Sequence, residues 1–230
     1  QLGCPSRTFR SATRAREAAV QHFLEHFAVS VAAITGVLAA RGKQVDLFAV
    51  IVLALVTAFG GGTIRDLLLG AHPIFWIDGP EFLLNAFITA VVVFFLVRFR
   101  ELPMTVLLVA GTFALALFNV VGVQKGLNAH VDSSVAVVMG VTTGVGGGIL
   151  RDLLIGEIPL VFRREIYLYA TAAFCGASFF VLLTRWLDNA QLNMILGTAV
   201  TLLLRLAGIK WRIGLPLFRP KNGVKPLAKE

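Results

Sequence analysis

The chain has 230 residues, of which 57% are hydrophobic and only 15% are charged. Soluble domains average about 45–50% apolar and about 25% charged residues, so this composition excludes a disordered protein, a collagen-like fibre and an ordinary soluble enzyme. The two cysteines, Cys4 and Cys175, cannot form a disulfide framework. Continuous apolar runs favour a helical membrane protein over a membrane β-barrel, whose strands alternate apolar and polar residues.

The net charge of +8 does not indicate a nucleic-acid-binding protein, because the basic residues stand between and beyond the apolar segments. Residues 1–20 form a polar, Arg-rich stretch without the apolar core of a signal peptide, which predicts a flexible N-terminal tail. Residues 209–230 predict a basic C-terminal tail able to contact anionic lipid headgroups. The membrane domain is expected over 21–208, with no soluble domain.

Apolar segments in chain order predict the spanning helices, each of which needs about 20 mostly apolar residues. Seven segments come close to this length, at about 23–40, 46–70, 82–98, 104–124, 132–156, 166–186 and 189–208. The sequence therefore predicts an all-α integral membrane protein with seven transmembrane helices. Alternate loops and tails hold twelve Lys and Arg on the C-terminal side against six on the other. This imbalance places the N-terminus outside and the C-terminus in the cytoplasm, in a cell inner membrane.

An internal repeat joins two stretches without gaps, GGGTIRDLLLG and GGGILRDLLIG, at a constant offset of 86 residues. Each unit, at about 23–100 and about 104–186, holds three apolar segments, so the second copy enters the membrane from the opposite side. Inverted repeats are typical of transporters and channels, with the transport site near the repeat interface. The seventh segment lies outside the repeat. Equivalent pairs include Asp46/Asp132, Thr57/Thr143, Gly60/Gly146, Arg65/Arg151 and Asp66/Asp152.

The triple glycines predict bends in segments 2 and 5. Segment 2 and its continuation to Asp78 give about 30 residues, or about 45 Å of helix, against a hydrocarbon core of about 30 Å. Bends commonly occur at such weak points, and freed carbonyl groups at mid-membrane depth are tolerated where they line a path. The glycines are therefore expected to line a permeation path, or to let helices pack closely. They are Gly60, Gly61, Gly62, Gly146, Gly147 and Gly148.

Four charged residues inside the repeated apolar runs are functional candidates, because an ionisable group there costs several kcal/mol unless it is paired or hydrated. They are Arg65, Asp66, Arg151 and Asp152. Neighbours i and i+1 do not face each other on a helix, so each Arg is expected to pair elsewhere. The four either gate the path or anchor helix ends at the membrane surface.

Other polar residues give weaker signals. Thr57 and Thr143 either line the path or bond to their own helices, and Asn119 either bridges helices or lines the path. His22 and His26 at spacing i, i+4, with Glu25, form an interfacial cluster or, given a third ligand, a metal site. Aromatic residues near segment ends are expected to be interface anchors. These are Trp76, Trp186, Trp211, Tyr167 and Tyr169.

At the duplicated GGG…RD motif the sequence resembles the prokaryotic members of the TRIC family, the trimeric intracellular cation channels, from about Glu25 to Leu206. The resemblance implies a homotrimer with one pore per subunit, kinked second and fifth helices, and potassium-selective conduction. The expected ligands are the permeant potassium ion and bound lipid, with no cofactor and no soluble partner. The sequence also has no nucleotide-binding loop, zinc spacing or nucleophile elbow, so no enzymatic activity is predicted. The glycine triads and both Arg-Asp pairs carry over from the family motif.

The sequence departs from family patterns in two ways. The lysine motif that animal members use for phosphoinositide lipid is absent, and position 65 is Arg. Bacterial members often begin segments 1 and 4 with Asp, whereas Glu25 and Gly111 stand here. Related bacterial proteins with the duplicated domain are described as glycine transporters. The same Arg and Asp residues could bind an amino acid, so a carrier remains the alternative to a channel.

Overall fold

The computed structural model describes residues 6–98, 104–163, 169–187 and 189–211. Within these ranges the chain is helical and contains no strand, as predicted. The helices are α1 Ser6–Ala39, α2 Leu47–Leu68, α3 Phe75–Asp78, α4 Pro80–Arg98, α5 Met104–Asn128, α6 Ser133–Leu154, a 3₁₀ turn Leu160–Phe162, α7 Tyr169–Thr184 and α8 Ala190–Trp211.

Six of these helices are long and apolar enough to cross a membrane: α1 from Gln21, α2, α4, α5, α6 and α8. The apolar helix α7 occupies the predicted sixth position, and its described part has 16 residues. Large apolar side chains such as Phe48, Leu96 and Leu203 are mostly exposed on the outside of the bundle. Exposed apolar surface on this scale marks a lipid-facing or protein-facing surface.

The first helix begins at Ser6, so the prediction of a flexible tail is wrong for residues 6–20. This stretch is rich in Ala and Arg, which are strong helix formers, and it contains neither Gly nor Pro. The apolar span and its polar extension therefore form one continuous helix. At the other end, α8 reaches Trp211, and the rest of the predicted C-terminal tail lies outside the described residues.

The two repeats correspond to α1, α2 and α4 and to α5, α6 and α7, and two ion pairs show their relative orientation. Lys125 near the end of α5 lies 3.6 Å from Asp66 near the end of α2. Lys43, just after α1, lies 2.6 Å from Glu157, just after α6. Because α1 and α2 run in opposite directions, α5 ends at the face opposite to the end of α1. The repeats are inverted, as predicted.

The α-helical backbone of α2 and α6 is continuous through Gly60–Gly62 and Gly146–Gly148, so neither helix is broken there, while a bend at these glycines stays a prediction. The apolar segment that contains α2 is longer than a membrane span, and the chain accommodates the extra residues by turning after the end of α2. The chain turns at Gly70, whose φ is +64°, and then forms the short α3. Gly156, with φ +70°, makes the equivalent turn after α6.

Candidate functional site: the glycine crossing and the two Arg-Asp pairs

Helices α2 and α6 cross in the centre of the bundle with their backbones in direct contact. A Cβ atom on Gly61 would overlap the carbonyl oxygen of Thr143, and one on Gly147 would overlap that of Thr57. Small residues at a helix interface allow this approach. The close-packing interpretation of the middle glycines is therefore the one that the geometry supports.

The first and third glycines of each triad also make room for side chains. Equivalent glycines in the two repeats face side chains at equivalent or similar places. A Cβ on Gly60 would lie 2.5 Å from Leu150, and one on Gly146 would lie 3.6 Å from Ile64, which is the repeat mate of Leu150. The third glycines make room for aromatic residues of the following elements. A Cβ on Gly62 would lie 2.5 Å from the Phe75 ring, and one on Gly148 would lie 3.2 Å from the Tyr169 hydroxyl.

A narrow cavity of about 20 Å³ lies beside this crossing, enough for about one water molecule. Gly61, Gly147 and Gly148 form part of its wall, with Arg151 near one end. Helices α1 and α5 close the other side. Further lining residues include Thr35, Thr57, Gly111, Thr143 and Tyr169.

Thr57 and Thr143 line the cavity, but each donates its hydroxyl proton in a hydrogen bond to its own helix. Each donates to the carbonyl oxygen four residues earlier, that of Leu53 and that of Met139 respectively, at 2.6 Å. The hydrogen bonds to their own helices are therefore confirmed, and a place in the permeation path stays a prediction. Each hydroxyl oxygen can still accept a hydrogen bond from a group inside the cavity.

Asn119 does not line this cavity, and its contacts support the interpretation of a bridge between helices. It is fully buried, and its amide nitrogen donates to the carbonyl oxygen of Ala173 at 2.8 Å and to Thr201 at 3.3 Å. The side chain thus bridges α5 to α7 and α8. It is a structural residue of the bundle.

The first Arg-Asp pair lies at the end of α2 and is buried. Arg65 donates from Nε to Asp66 Oδ1 at 2.7 Å, and its Nη2 lies at the same distance from that oxygen. Asp66 Oδ2 accepts the backbone N–H of Phe75 at 3.0 Å. Because Ala71 N–H bonds to the Asp66 carbonyl and Gly70 N–H to that of Leu67, the helix ends in a Schellman motif.

The second pair repeats this arrangement at the end of α6, on the opposite face. Arg151 Nε donates to Asp152 Oδ1 at 2.8 Å, and Asp152 Oδ2 accepts the N–H of Leu160 at 2.8 Å. Both residues are 2% exposed. In each copy the carboxylate therefore neutralises the preceding Arg and also holds the start of the next short helical element.

These contacts correct the expectation that each Arg pairs away from its neighbour. The long arginine side chain folds back at the helix end, so its guanidinium reaches the carboxylate of the next residue. Side chains of adjacent residues would otherwise point in different directions from a helix. The burial of both arginines also excludes anchors that extend to water. Tyr169, expected to be an interface anchor, is buried, while Tyr167 lies outside the described residues.

The two ends differ in their additional cations. At the first pair, Lys125 approaches Asp66 and lies 5.4 Å from the centroid of the Phe75 ring, while the Arg65 guanidinium lies 5.5 Å from it. At the second pair, Arg205 of α8 lies 4.8 Å from the centroid of the Tyr169 ring. Lys125 and Arg205 are functional candidates that sequence reasoning misses.

A sequence signal exists for only one of these two residues. Arg205 is a charge inside the seventh apolar segment, which marks it as unusual in a membrane helix. Lys125 is inconspicuous, because it stands at a segment end and its repeat mate is Ala39. Its role emerges from the packing of α5 against α2.

The sequence relatives are membrane proteins. The family model described as Glycine transporter matches residues 22–98 and 108–185, which are the two repeats. The UPF0126 inner membrane protein YadS of Escherichia coli K12 is 44% identical over 202 residues, covering 86% of this chain and 95% of the relative. A UPF0126 membrane protein of Vibrio cholerae is 40% identical over 205 residues, with 89% and 85% covered.

Solved structures share the fold over nearly their whole length. The TRIC trimeric intracellular cation channel orthologue from Rhodobacter sphaeroides superposes with a TM-score of 0.80 at 39% identity, covering 84% of this chain and 99% of that one. A structure reported for conductance through TRIC cation channels gives 0.79 at 28% identity, with 88% and 98% covered. None of these relatives is named as an enzyme, in agreement with the sequence prediction.

The fold and the site thus define a multi-pass membrane protein of the channel and transporter class, built from two inverted three-helix repeats and an additional helix. The chain belongs to the TRIC family, and the family model described as Glycine transporter matches both of its repeats.

Proposed function

We propose that this protein is a potassium-selective cation channel of the inner membrane, with a path through each subunit beside the α2–α6 crossing. The observation that carries the proposal is the placement of two buried Arg-Asp pairs at opposite ends of one glycine-lined crossing. The solved relatives named as TRIC cation channels support the same activity. Selectivity for potassium rests on the family resemblance.

Each pair acts as a gate in this proposal. Held against its Asp, an Arg contributes little net charge, whereas separation from Asp would expose a cation to the path and oppose permeant ions. Moving one elementary charge across the whole membrane potential is worth about 2.3 kcal/mol per 100 mV. Voltage could therefore bias the arginine positions, and the narrow cavity beside the crossing, which Arg151 lines and Arg65 does not, corresponds to a closed path.

The alternative is a carrier for a small amino acid, favoured by the description of the matching family model. Arg151 in the cavity wall could bind a carboxylate. A space for about one water molecule is too small for glycine, so a carrier would need a wider conformation. The channel requires only that the existing cavity extend along the crossing.

The assembly we propose is a homotrimer embedded in lipid, with the N-terminus outside and the C-terminus in the cytoplasm. The charge imbalance of the loops supports this orientation. The exposed apolar surface of the helices supplies faces for lipid and for other subunits. Trimerisation is supported by the solved relative named as a trimeric channel.

The deciding experiment uses purified protein in proteoliposomes. Potassium flux under a set membrane potential and uptake of labelled glycine are measured in the same preparation. Potassium flux that is indifferent to glycine is expected. Saturable glycine uptake without an independent potassium leak would overturn the channel in favour of the carrier.

Variants then test the gates. Arg65→Gln and Arg151→Gln should each alter conductance or its voltage dependence, because each removes one charge from the path. Arg185→Gln is the matched control, since Arg185 is exposed after α7. Single-channel traces of both gate variants that are identical to wild type would contradict the assignment.

A further inference from the structure

A second cluster of chemically capable side chains lies away from the crossing, where the membrane spans of α1 and α4 begin. One ring nitrogen of His22, one of His26 and one carboxylate oxygen of Glu81 lie within 4.8 Å of one another. His22 Nε2 is 3.4 Å from Glu81 Oε1. The sequence offers Glu25 as the neighbouring acid, but Glu25 accepts a hydrogen bond from Gln21 instead. The third ligand comes from a helix 55 residues further along.

We propose that His22, His26 and Glu81 bind one divalent ion of the zinc class. Two imidazoles and one carboxylate are typical ligands for Zn²⁺, which binds them at about 2.0–2.2 Å and leaves a fourth position for water. Calcium and magnesium prefer oxygen ligands alone. The site therefore selects for a borderline metal over the alkaline-earth ions.

The cluster can close around such an ion with small movements. Tetrahedral ligands at these bond lengths stand about 3.3–3.6 Å apart, close to the existing distance between His22 and Glu81. The side chains of these two residues are 53% and 50% exposed, which leaves them free to rotate. Both histidines project from one face of α1, because they are four residues apart.

His26 is held in place by its neighbours. His26 stacks on Phe82 with ring centroids 4.2 Å apart, and its Nδ1 lies 3.1 Å from Asn85 Nδ2. Asn85 Nδ2 also donates to the His26 carbonyl oxygen at 3.0 Å, and Asn85 Oδ1 accepts from the Ser30 hydroxyl at 2.8 Å.

The ion would also act on the first gate, an effect that rests on the proposed channel function. Phe82 contacts Phe75 with ring centroids 5.6 Å apart, and Phe75 in turn lies against Arg65 and Lys125. An ion that joins α1 to the start of α4 fixes Phe82, and through it Phe75. Occupation of the metal site is expected to keep Arg65 bound to Asp66, so that the proposed gate stays closed and potassium flux is reduced.

Metal binding is tested first and does not depend on flux. Tag-free protein is titrated with Zn²⁺ by calorimetry and with Co²⁺ by visible absorption, which reports tetrahedral coordination. We expect one site per chain, weakened at least about tenfold in His22→Ala, His26→Ala and Glu81→Gln, since even outer-shell changes cost about 10–100-fold. Glu25→Gln and His130→Ala, which alter groups outside the cluster, should bind as wild type does.

Two results would overturn the site: no binding to the wild type, or equal affinity in wild type, His22→Ala and Glu81→Gln. His22 and Glu81 are exposed, so these two variants should fold even if His26→Ala does not. Potassium flux is then measured with Zn²⁺ added on each side of the membrane. Inhibition of wild type and not of His22→Ala supports the action on the gate, while binding without inhibition refutes it. A protein that binds Zn²⁺ but conducts no potassium would count against the proposed channel and not against the site.

Discussion

Gly61 and Gly147 are repeat mates, and each occupies the place where a side chain would overlap a carbonyl oxygen of the opposite helix. The obstructing atoms belong to Thr143 and Thr57, which are themselves repeat mates. Backbone atoms of a helix cannot rotate away as the end of a flexible side chain can. The crossing therefore depends on both glycines and keeps the same geometry when the two repeats are exchanged.

Gly61→Ala and Gly147→Ala should each destabilise the protein by about 1–3 kcal/mol, the usual cost of overpacking. The helices would have to separate at the crossing, so flux should change as well. Thermal unfolding followed by size-exclusion fluorescence measures the first effect. Gly111→Ala is the control for the melting temperature alone, because nothing lies within 4 Å of its added Cβ but Gly111 also lines the cavity. Unchanged melting of both crossing variants would disprove the close contact.

Asp152→Ala should destabilise the protein by about 3–5 kcal/mol, because it leaves the buried Arg151 without its partner. The start of the 3₁₀ turn also loses the acceptor for the Leu160 N–H. Asp66→Ala should have a comparable effect and leave two cations together, Arg65 and Lys125. Adding Lys125→Met to Asp66→Ala should restore part of the lost stability. A double variant that melts below the single one would show that Lys125 does not interact with this pair.

Asn119→Leu should lower stability while leaving the current through an open channel unchanged, because Asn119 bridges helices away from the cavity. Hydrogen bonds between membrane helices average about 0.6 kcal/mol and reach about 1.7 kcal/mol, so a loss of about 1 kcal/mol is expected. Single-channel recording with a thermal melt separates the two effects. A changed conductance at unchanged stability would indicate that Asn119 lines the permeation path.

Glu157→Gln should remove a pH-dependent contribution to stability. The hydrogen bond from Lys43 lowers the pKa of the Glu157 carboxyl, so the native contact favours the ionised form. This stabilisation is present above the ordinary glutamate pKa of about 4.3 and is lost as pH falls through the lower pKa of the folded protein. Melting curves of wild type and variant should therefore converge at acid pH. A difference that persists there would contradict the assignment.

Much of this architecture is predictable from sequence because membrane spans and an exact repeat are strong signals. Helix positions such as α2 and α6 follow from apolar length, and the inversion follows from an odd number of spans. The charged motif also identifies Arg65 and Asp66 as a pair of interest. It does not reveal their mutual contact, which depends on how a helix ends.

The remaining site residues depend on contacts between distant parts of the chain. Lys125 reaches Asp66, and Glu81 reaches His22, only because particular helix ends meet at one face. The continuity of α2 through its glycines likewise depends on its tight partner helix, since isolated glycines weaken a helix. Periodicity and composition contain no information on such partners.

The unequal additional cations, Lys125 at one end and Arg205 near the other, would make the two halves of the proposed path energetically different. A symmetric duplicated path would present the same barrier to an ion from either side. Here an ion meets the barriers in a different order according to its direction of travel. The protein should consequently rectify, passing unequal currents at equal and opposite voltages in symmetrical salt.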